Sequence, residues 1–144
     1  MNDLEVLTRI VWGEAESEIL TAKLGVAAVI LNHAKAEDKT VLELVQTPGQ
    51  FEAYSNNRFW QAPYESQAPM LVACKQAAGR ALSGEDPTNG KTHFCAYQKN
   101  PCRYHYSQAP PLQYLGNQLF VRAKIYDRPR RRFRGGFRRR FRGR

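Results

Sequence analysis

Three glutamates stand at alternate positions near the start of the chain, in the stretch IVWGEAESEIL. They are Glu14, Glu16 and Glu18, and they follow an apolar Ile-Val-Trp run and Gly13. A carboxylic acid can donate a proton near pH 7 when burial or a neighbouring negative charge raises its pKa. Glu14 lies nearest the apolar run, and Gly13 lets another backbone or a ligand approach closely. Glu14 is therefore the candidate proton donor, while the motif alone also fits a solvent-facing acidic turn.

Glu18 is the candidate electrostatic neighbour of Glu14. If the segment is helical, the two side chains lie one turn apart on the same face, with Cβ atoms about 5–6 Å apart. A charged Glu18 would then favour the protonated form of Glu14.

The spacing of apolar residues predicts the elements that position these acids. Leu4, Leu7 and Ile10 recur at helical spacing, which predicts a first helix that ends near Gly13. The segment from Leu20 to Leu31 keeps the same period and predicts a second, largely buried helix that closes at NHAK.

Shorter elements follow. TVLELV predicts a third helix capped by Thr40 and stopped by TPGQ. Residues 50–68 hold five aromatic rings among polar residues without a sustained apolar period, which predicts a long loop. These rings could line a ligand groove or cover the core.

The second half of the domain begins with a helix opened by Pro69. Its expected buried face consists of Leu71, Cys74, Ala78 and Ala81. KTHFCAY alternates and predicts a strand, KNPCRYHYSQAPPLQ predicts an irregular aromatic loop, and YLGNQLFVRAKIY predicts a last apolar element. The sequence thus predicts a mostly helical α+β domain with a small β element and two long loops.

Charge divides the chain into two parts. The net charge is +9, but residues 128–144, called the tail below, hold ten arginines and no acid. Residues 1–127 carry 12 basic and 13 acidic residues, so the expected domain is nearly neutral. The tail has no aliphatic residue and repeats RRRFRG, so we expect it to be disordered on its own.

Several classes of protein are not expected. There is no apolar run of about 18 residues and no secretory signal pattern at the start. The three cysteines do not form a complete disulfide framework, although Cys95 and Cys102 could bridge in an oxidising compartment or could remain thiols. No metal-ligand spacing accompanies His33, His93 and His105, so no metal or cofactor is expected.

Five blocks carry a resemblance to a known family. WGEAESE, LGVAAVILN, PGQF, DPTNG and LGNQLF, in this order and at these intervals, resemble the SleB-like cell wall hydrolases, which include spore-cortex-lytic enzymes and phage lysins. The resemblance covers about residues 11–121. The departures are Glu16-Ser17 for Arg-Gly, Ile19 for proline, His33 for arginine and Gln118 for histidine. Glu16 is expected to be dispensable because the family tends to have arginine there.

The resemblance implies a lysozyme-like fold that cuts the glycan strand of peptidoglycan, with Glu14 as the catalytic glutamate. The implied reaction is that of a lytic transglycosylase, in which the 6-hydroxyl of muramic acid attacks the anomeric carbon, so that one glutamate suffices. A hydrolase would need a second carboxylate. The candidates for it are Glu52, Glu65, Glu85 and Asp86. An N-acetylmuramoyl-L-alanine amidase and an inactive virion-structural protein are the alternatives.

Substrate contacts are expected from residues in and near the family blocks. Gln50 and Phe51 match PGQF, although they could equally be a helix stop and a core ring. Asn32 matches ILN and could only anchor the helix end, and the turn DPTNG is expected to be structural. The full set of expected substrate-binding residues is Glu18, Asn32, Gln50, Phe51, Tyr54, Trp60 and Tyr97. His93 and His105 are expected to be surface or loop residues.

The tail should bind polyanions, because clustered arginines release counterions from them. The arginines expected to do so are Arg130, Arg131, Arg132, Arg134, Arg138, Arg139, Arg140 and Arg142. The partner could be anionic envelope polymers or a membrane surface, or nucleic acid inside a virus particle, or the tail could only solubilise. A monomer is expected. The expected localisation is that of a phage-encoded protein. It would stay in the host cytoplasm until release, or be carried in the virion, and would act in the periplasm or cell wall.

Overall fold

The computed structural model describes residues 1–96 and 108–123. Six helices and three strands lie in these ranges. The helices are α1 (Asp3–Ala15), α2 (Leu20–Ala36), α3 (Val41–Val45), α4 (Glu52–Ser55), α5 (Arg58–Gln61) and α6 (Pro69–Leu82). The strands are β1 (His93–Ala96), β2 (Gln108–Leu115) and β3 (Gln118–Ala123). The prediction of a mostly helical α+β domain is confirmed.

Local signals set the helix boundaries. The Asn2 side chain accepts a hydrogen bond from the Glu5 backbone N–H at 2.9 Å and caps α1. Thr40 and Glu43 form a reciprocal capping box at α3, as expected for Thr40. Pro69 occupies the first turn of α6, where its missing N–H costs no helical hydrogen bond.

The core lies between α1, α2 and α6. Its largest fully buried side chains include Leu7, Ile10, Ile30 and Leu71, which together remove a large apolar area from water. The four residues predicted for the inner face of α6 are all buried, which confirms that helical period. Gly25 brings α2 against the sheet, because a Cβ at this position would lie 2.8 Å from the Phe120 ring.

The three strands form one antiparallel sheet in the order β1-β3-β2. The expectation of an irregular loop through QAPPLQ is wrong, since these residues belong to β2. Two prolines fit in this strand because it lies at the sheet edge and its register shifts between Ala109 and Gln113.

The long loop expected at residues 50–68 also contains regular structure, namely α4 and α5. Each of these helices has four residues, which is too short to show an apolar period. Asn57 separates them with a left-handed backbone, at φ 69°.

The cysteines divide into two kinds. Cys74 is free and buried, and burial raises the pKa of its thiol to about 11. Cys95 is disulfide-bonded. The expected contributions of Tyr97, Cys102, His105 and the tail lie outside the described residues. In the part of the chain that is described, no helix has the length and apolar character needed to cross a bilayer.

Candidate active site

Glu14 lies in the last turn of α1 and is held by the loop that contains α4. Its Oε2 accepts a hydrogen bond from the Ala53 backbone N–H at 2.8 Å. Gly13 makes this approach possible, because a Cβ at this position would lie 2.6 Å from Ala53 Cβ. The glycine before the glutamate is therefore needed for the contact that orients the carboxyl group.

A pocket of about 350 Å³ opens beside this carboxyl group. The end of α1, one face of α2, the segment 50–58, β1 and the first residue of β3 surround it. Its lining residues are Gly13, Glu14, Val29, Ile30, His33, Gln50, Phe51, Glu52, Ala53, Asn56, Arg58, Thr92, His93, Phe94, Cys95 and Gln118. The size and mixed lining suit a polar ligand of a few rings.

Arg58 connects α5 to the end of α1. Its Nε donates to the Gly13 carbonyl oxygen at 3.2 Å, and its Nη2 forms an ion pair with Glu16. The guanidinium also lies 4.4 Å from the centre of the Trp12 ring, within the range of a cation–π interaction. Glu16 therefore has a structural partner, although it remains a prediction that catalysis does not need Glu16.

Glu18 does not lie where a continued helix would place it. Since α1 ends at Ala15, Glu18 lies in the following turn, and Lys23 Nζ donates to its backbone oxygen. Its carboxylate accepts from Asn117 N–H at 3.1 Å and from Gln118 Nε2 at 3.2 Å. The expected same-face position beside Glu14 is wrong. Glu18 instead anchors the turn between β2 and β3 and is absent from the described pocket lining.

Two histidines form part of the pocket. The ring centroids of His33 and His93 are 4.4 Å apart, and His93 Nδ1 lies 2.9 Å from Thr92 Oγ1. Burial lowers the pKa of both rings, that of His93 to about 4. The expectation that His93 is a surface or loop residue is wrong, since it starts β1 and lines the pocket as a neutral ring.

Among the expected substrate-binding residues, Gln50 and Phe51 line the pocket. Asn32 does not line the pocket. Its Nδ2 donates to Asp86 Oδ2 and to the Lys91 carbonyl oxygen, both at 2.9 Å, and so anchors the turn DPTNG to α2. The expected turn DPTNG is therefore formed, and a purely structural role for it remains a prediction.

Tyr54 and Trp60 also lie outside the pocket lining. The Tyr54 ring packs against Phe59 and Trp60, and 52% of Trp60 is exposed. The two rings could meet only a ligand that extends beyond the pocket.

The four candidates for a second carboxylate differ in their partners and in whether they line the pocket. Glu85 pairs with Arg80. Burial raises the pKa of Asp86, but the hydrogen bonds that it accepts from Thr88, Asn32 and Gly90 outweigh this effect and lower the pKa. Among the four candidates, only Glu52 lines the pocket. Within the described ranges, no group of three or more His, Cys, Asp or Glu side chains could hold a metal ion.

No sequence pattern assigns a role to Arg58, Thr92 or Gln118. Gln118 is 5% exposed, and among the described residues its Oε1 has no hydrogen-bond partner. The departures from the family pattern at His33 and Gln118 marked two pocket residues without assigning them a function. Arg58 carried no signal, because its partners lie more than forty residues away.

Comparisons with known proteins agree with this fold. The family model described as Cell Wall Hydrolase matches residues 17–121. Spore cortex-lytic enzymes of Halalkalibacterium halodurans and Bacillus cereus are 26% and 24% identical over 83% and 84% of this chain. The chain spans only 34% and 44% of the length of these two relatives.

Two solved structures have the same fold. The catalytic domain of the Bacillus cereus SleB protein has a TM-score of 0.68 and 24% identity, and covers 83% of this chain and 89% of its own. The catalytic domain of the germination-specific lytic transglycosylase SleB from Bacillus anthracis has a TM-score of 0.70 and 24% identity, and covers 85% of this chain and 95% of its own.

This chain belongs to the cell wall hydrolase family, and the lysozyme-like fold expected from the resemblance is confirmed. The match of the family model begins at residue 17, so Glu14 lies just before it. The role of Glu14 therefore depends on the pocket geometry and on the sequence motif.

Proposed function

We propose that this protein cleaves the glycan strand of peptidoglycan between N-acetylmuramic acid and N-acetylglucosamine, as a lytic transglycosylase. Glu14 first donates a proton to the glycosidic oxygen as the bond from the anomeric carbon to that oxygen breaks. It then takes the proton of the muramic acid 6-hydroxyl, whose oxygen forms the new bond to the anomeric carbon. The products are a 1,6-anhydro end and a free hydroxyl on the leaving sugar, so no water is consumed.

One observation carries the proposal: Glu14 lies in the wall of the pocket, and a backbone N–H fixes one oxygen of its carboxyl group. A fixed carboxyl group at the edge of a polar cavity satisfies the geometric demand on a general acid and base. Membership of the cell wall hydrolase family supports peptidoglycan as the substrate, and a similar fold is found in a protein described as a lytic transglycosylase.

The test is mass spectrometry of the muropeptides released from purified peptidoglycan. We expect anhydro-muropeptides from the wild type and a loss of about 10²-fold or more in rate for Glu14→Gln, because the amide cannot transfer the proton. Glu5→Gln is the matched control, since Glu5 lies on the same helix and pairs with Arg9 away from the pocket. Full activity of Glu14→Gln would remove Glu14 from the mechanism.

Hydrolysis is a second candidate reaction, because Glu52 lines the same pocket as Glu14. A paired carboxylate could act as nucleophile or activate a water molecule. Hydrolysis gives new reducing ends without anhydro products and should depend on Glu52. If Glu52→Gln retains wild-type activity and the anhydro products persist, the transglycosylase reaction is favoured. Free peptide stems would instead indicate an amidase.

We also propose that the tail brings the nearly neutral domain to anionic polymers of the cell envelope. The composition supports this, since the ten arginines of residues 128–144 face no compensating acid within the segment. Nucleic acid is the competing partner for the same charge.

A further inference from the structure

Arg58 has hydrogen-bonding capacity that the proposed reaction does not use. It lines the pocket, and 35% of its side chain is exposed. Its Nε and Nη2 are engaged by Gly13 and Glu16, whereas within the described ranges Nη1 donates to no protein acceptor. A guanidinium with a donor group left over, at the edge of a cavity, is suited to bind an oxyanion.

Three contacts fix this guanidinium in place. It is tied to the end of α1 through the Gly13 carbonyl oxygen, it is paired with Glu16, and it stacks over the Trp12 ring. Because the side chain is already ordered, a ligand that binds it loses little additional conformational entropy. The Gly13 contact also ties the guanidinium to the residue that directly precedes Glu14 in the chain.

The charges in the pocket make Arg58 distinctive. Among the described residues, the other ionisable groups that line it are the acids Glu14 and Glu52 and the two histidines, whose rings stay neutral because burial lowers their pKa values. Among the described lining residues, Arg58 is thus the permanent cation. A neutral glycan has no group that exploits this charge, whereas a strand with carboxylate substituents does.

We propose that Arg58 forms an anion subsite that binds a carboxylate carried by the muramic acid residue or its peptide stem, and that it makes the enzyme selective for acidic over neutral glycans. The proposal rests on the proposed function, because it takes peptidoglycan as the substrate. Glu16 tunes the subsite by neutralising part of the charge of Arg58.

The test compares soluble glycan fragments that keep their carboxylates with the same fragments after amidation of every carboxyl group. For the wild type, amidation should raise KM about tenfold, because the substrate then loses one charge-assisted hydrogen bond. Arg58→Gln should show the high KM on both substrates, and Arg58→Lys, which keeps the charge, should fall between. Arg80→Gln is the control, since Arg80 pairs with Glu85 and lies outside this pocket.

Glu16→Gln separates this role from a purely structural one. It keeps a hydrogen-bond acceptor for Arg58 but removes the negative charge, so it should lower KM for the carboxylate substrate about two- to threefold. A structural role of Arg58 predicts no such gain.

Three results would count against the proposal, in two different ways. If Arg58→Gln keeps the wild-type preference for carboxylates, or loses the same kcat on both substrates with an unchanged KM ratio, the anion subsite is wrong. If the wild type releases no glycan product from either substrate, the proposed function fails and this inference fails with it.

Discussion

His93 has a neutral imidazole in a position that makes folding sensitive to acid. Burial is the main cause that lowers its pKa from 6.5 to about 4, the neighbouring His33 adds to the shift, and Glu37 opposes it. Burial also lowers the pKa of His33, with Glu37 opposing the shift and Lys39 adding to it. Between about pH 4 and 6.5 the unfolded chain therefore binds more protons at His93 than the folded protein does.

The free energy of unfolding should consequently decrease as the pH falls through this window. For His93 alone we expect a loss of about 1–2 kcal/mol, reduced from the full linkage value because the ring is partly exposed to solvent. Urea denaturation of the wild type and of His93→Gln at several pH values measures it. The wild type should lose more stability than the variant between about pH 6.5 and pH 4. Parallel curves would show that His93 does not contribute.

The contacts of Gly13 and Arg58 show what could not be predicted at the residue scale. The motif singled out Glu14, and the structure places this residue in the pocket. The hydrogen bond from Ala53 and the ties of Arg58 join residues about forty positions apart, and no local pattern encodes such pairs. The interpretation of Glu18 failed because it assumed that the helix continued beyond Ala15.

Elements of different length differed in how well they could be predicted. The helices α2 and α6 each bury a long apolar face, so their period was visible in the sequence. The helices α4 and α5 are too short for a period. The strand β2 resembled a loop because of its prolines, which only a sheet-edge position accommodates.

The close approach of α1 and α4 can be tested with two helical glycines. Glycine in a helix normally costs about 0.5–1 kcal/mol relative to alanine. Gly79→Ala in α6 should recover that amount, because the nearest atom to the new Cβ is Leu4 Cδ1 at 3.9 Å. Gly13→Ala should instead destabilise the protein by about 1–3 kcal/mol, since the methyl group must displace Ala53.

Activity separates the two glycine variants further. Displacement of Ala53 breaks the hydrogen bond that orients Glu14, so Gly13→Ala should lose about tenfold or more in kcat at a temperature where it is still folded. Gly79→Ala should keep wild-type kcat. Thermal unfolding and muropeptide release measure the two effects. A stable and fully active Gly13→Ala would show that the loop can move without cost to the site.

At the scale of the whole molecule, the tail and the domain should act separately. Deletion of residues 128–144 should leave cleavage of soluble glycan fragments unchanged but abolish retention on intact cell walls at low salt. Because retention by clustered arginines follows counterion release, the full chain should lose it steeply between about 50 and 200 mM salt. Co-sedimentation with purified walls at several salt concentrations measures this.

Replacement of Phe133, Phe137 and Phe141 by alanine is the matched control, since it keeps all ten arginines of the tail. This variant should be retained with the same salt dependence as the wild type. If this variant does not co-sediment with walls at low salt, the phenylalanine rings rather than the arginine charges bind the tail to the wall. If the full chain binds DNA strongly and does not co-sediment with walls, the tail binds nucleic acid instead.

The order of strands in the sheet has a consequence for how the protein is made. Among the described strands, β3 comes last in sequence but lies in the middle of the sheet, where it pairs with both β1 and β2. A nascent chain that has not yet released residues 118–123 from the ribosome can pack its helices but cannot form any strand pair of this sheet. Gln118, which lines the pocket, belongs to that strand. A competent pocket therefore cannot exist before residues 118–123 have left the ribosome.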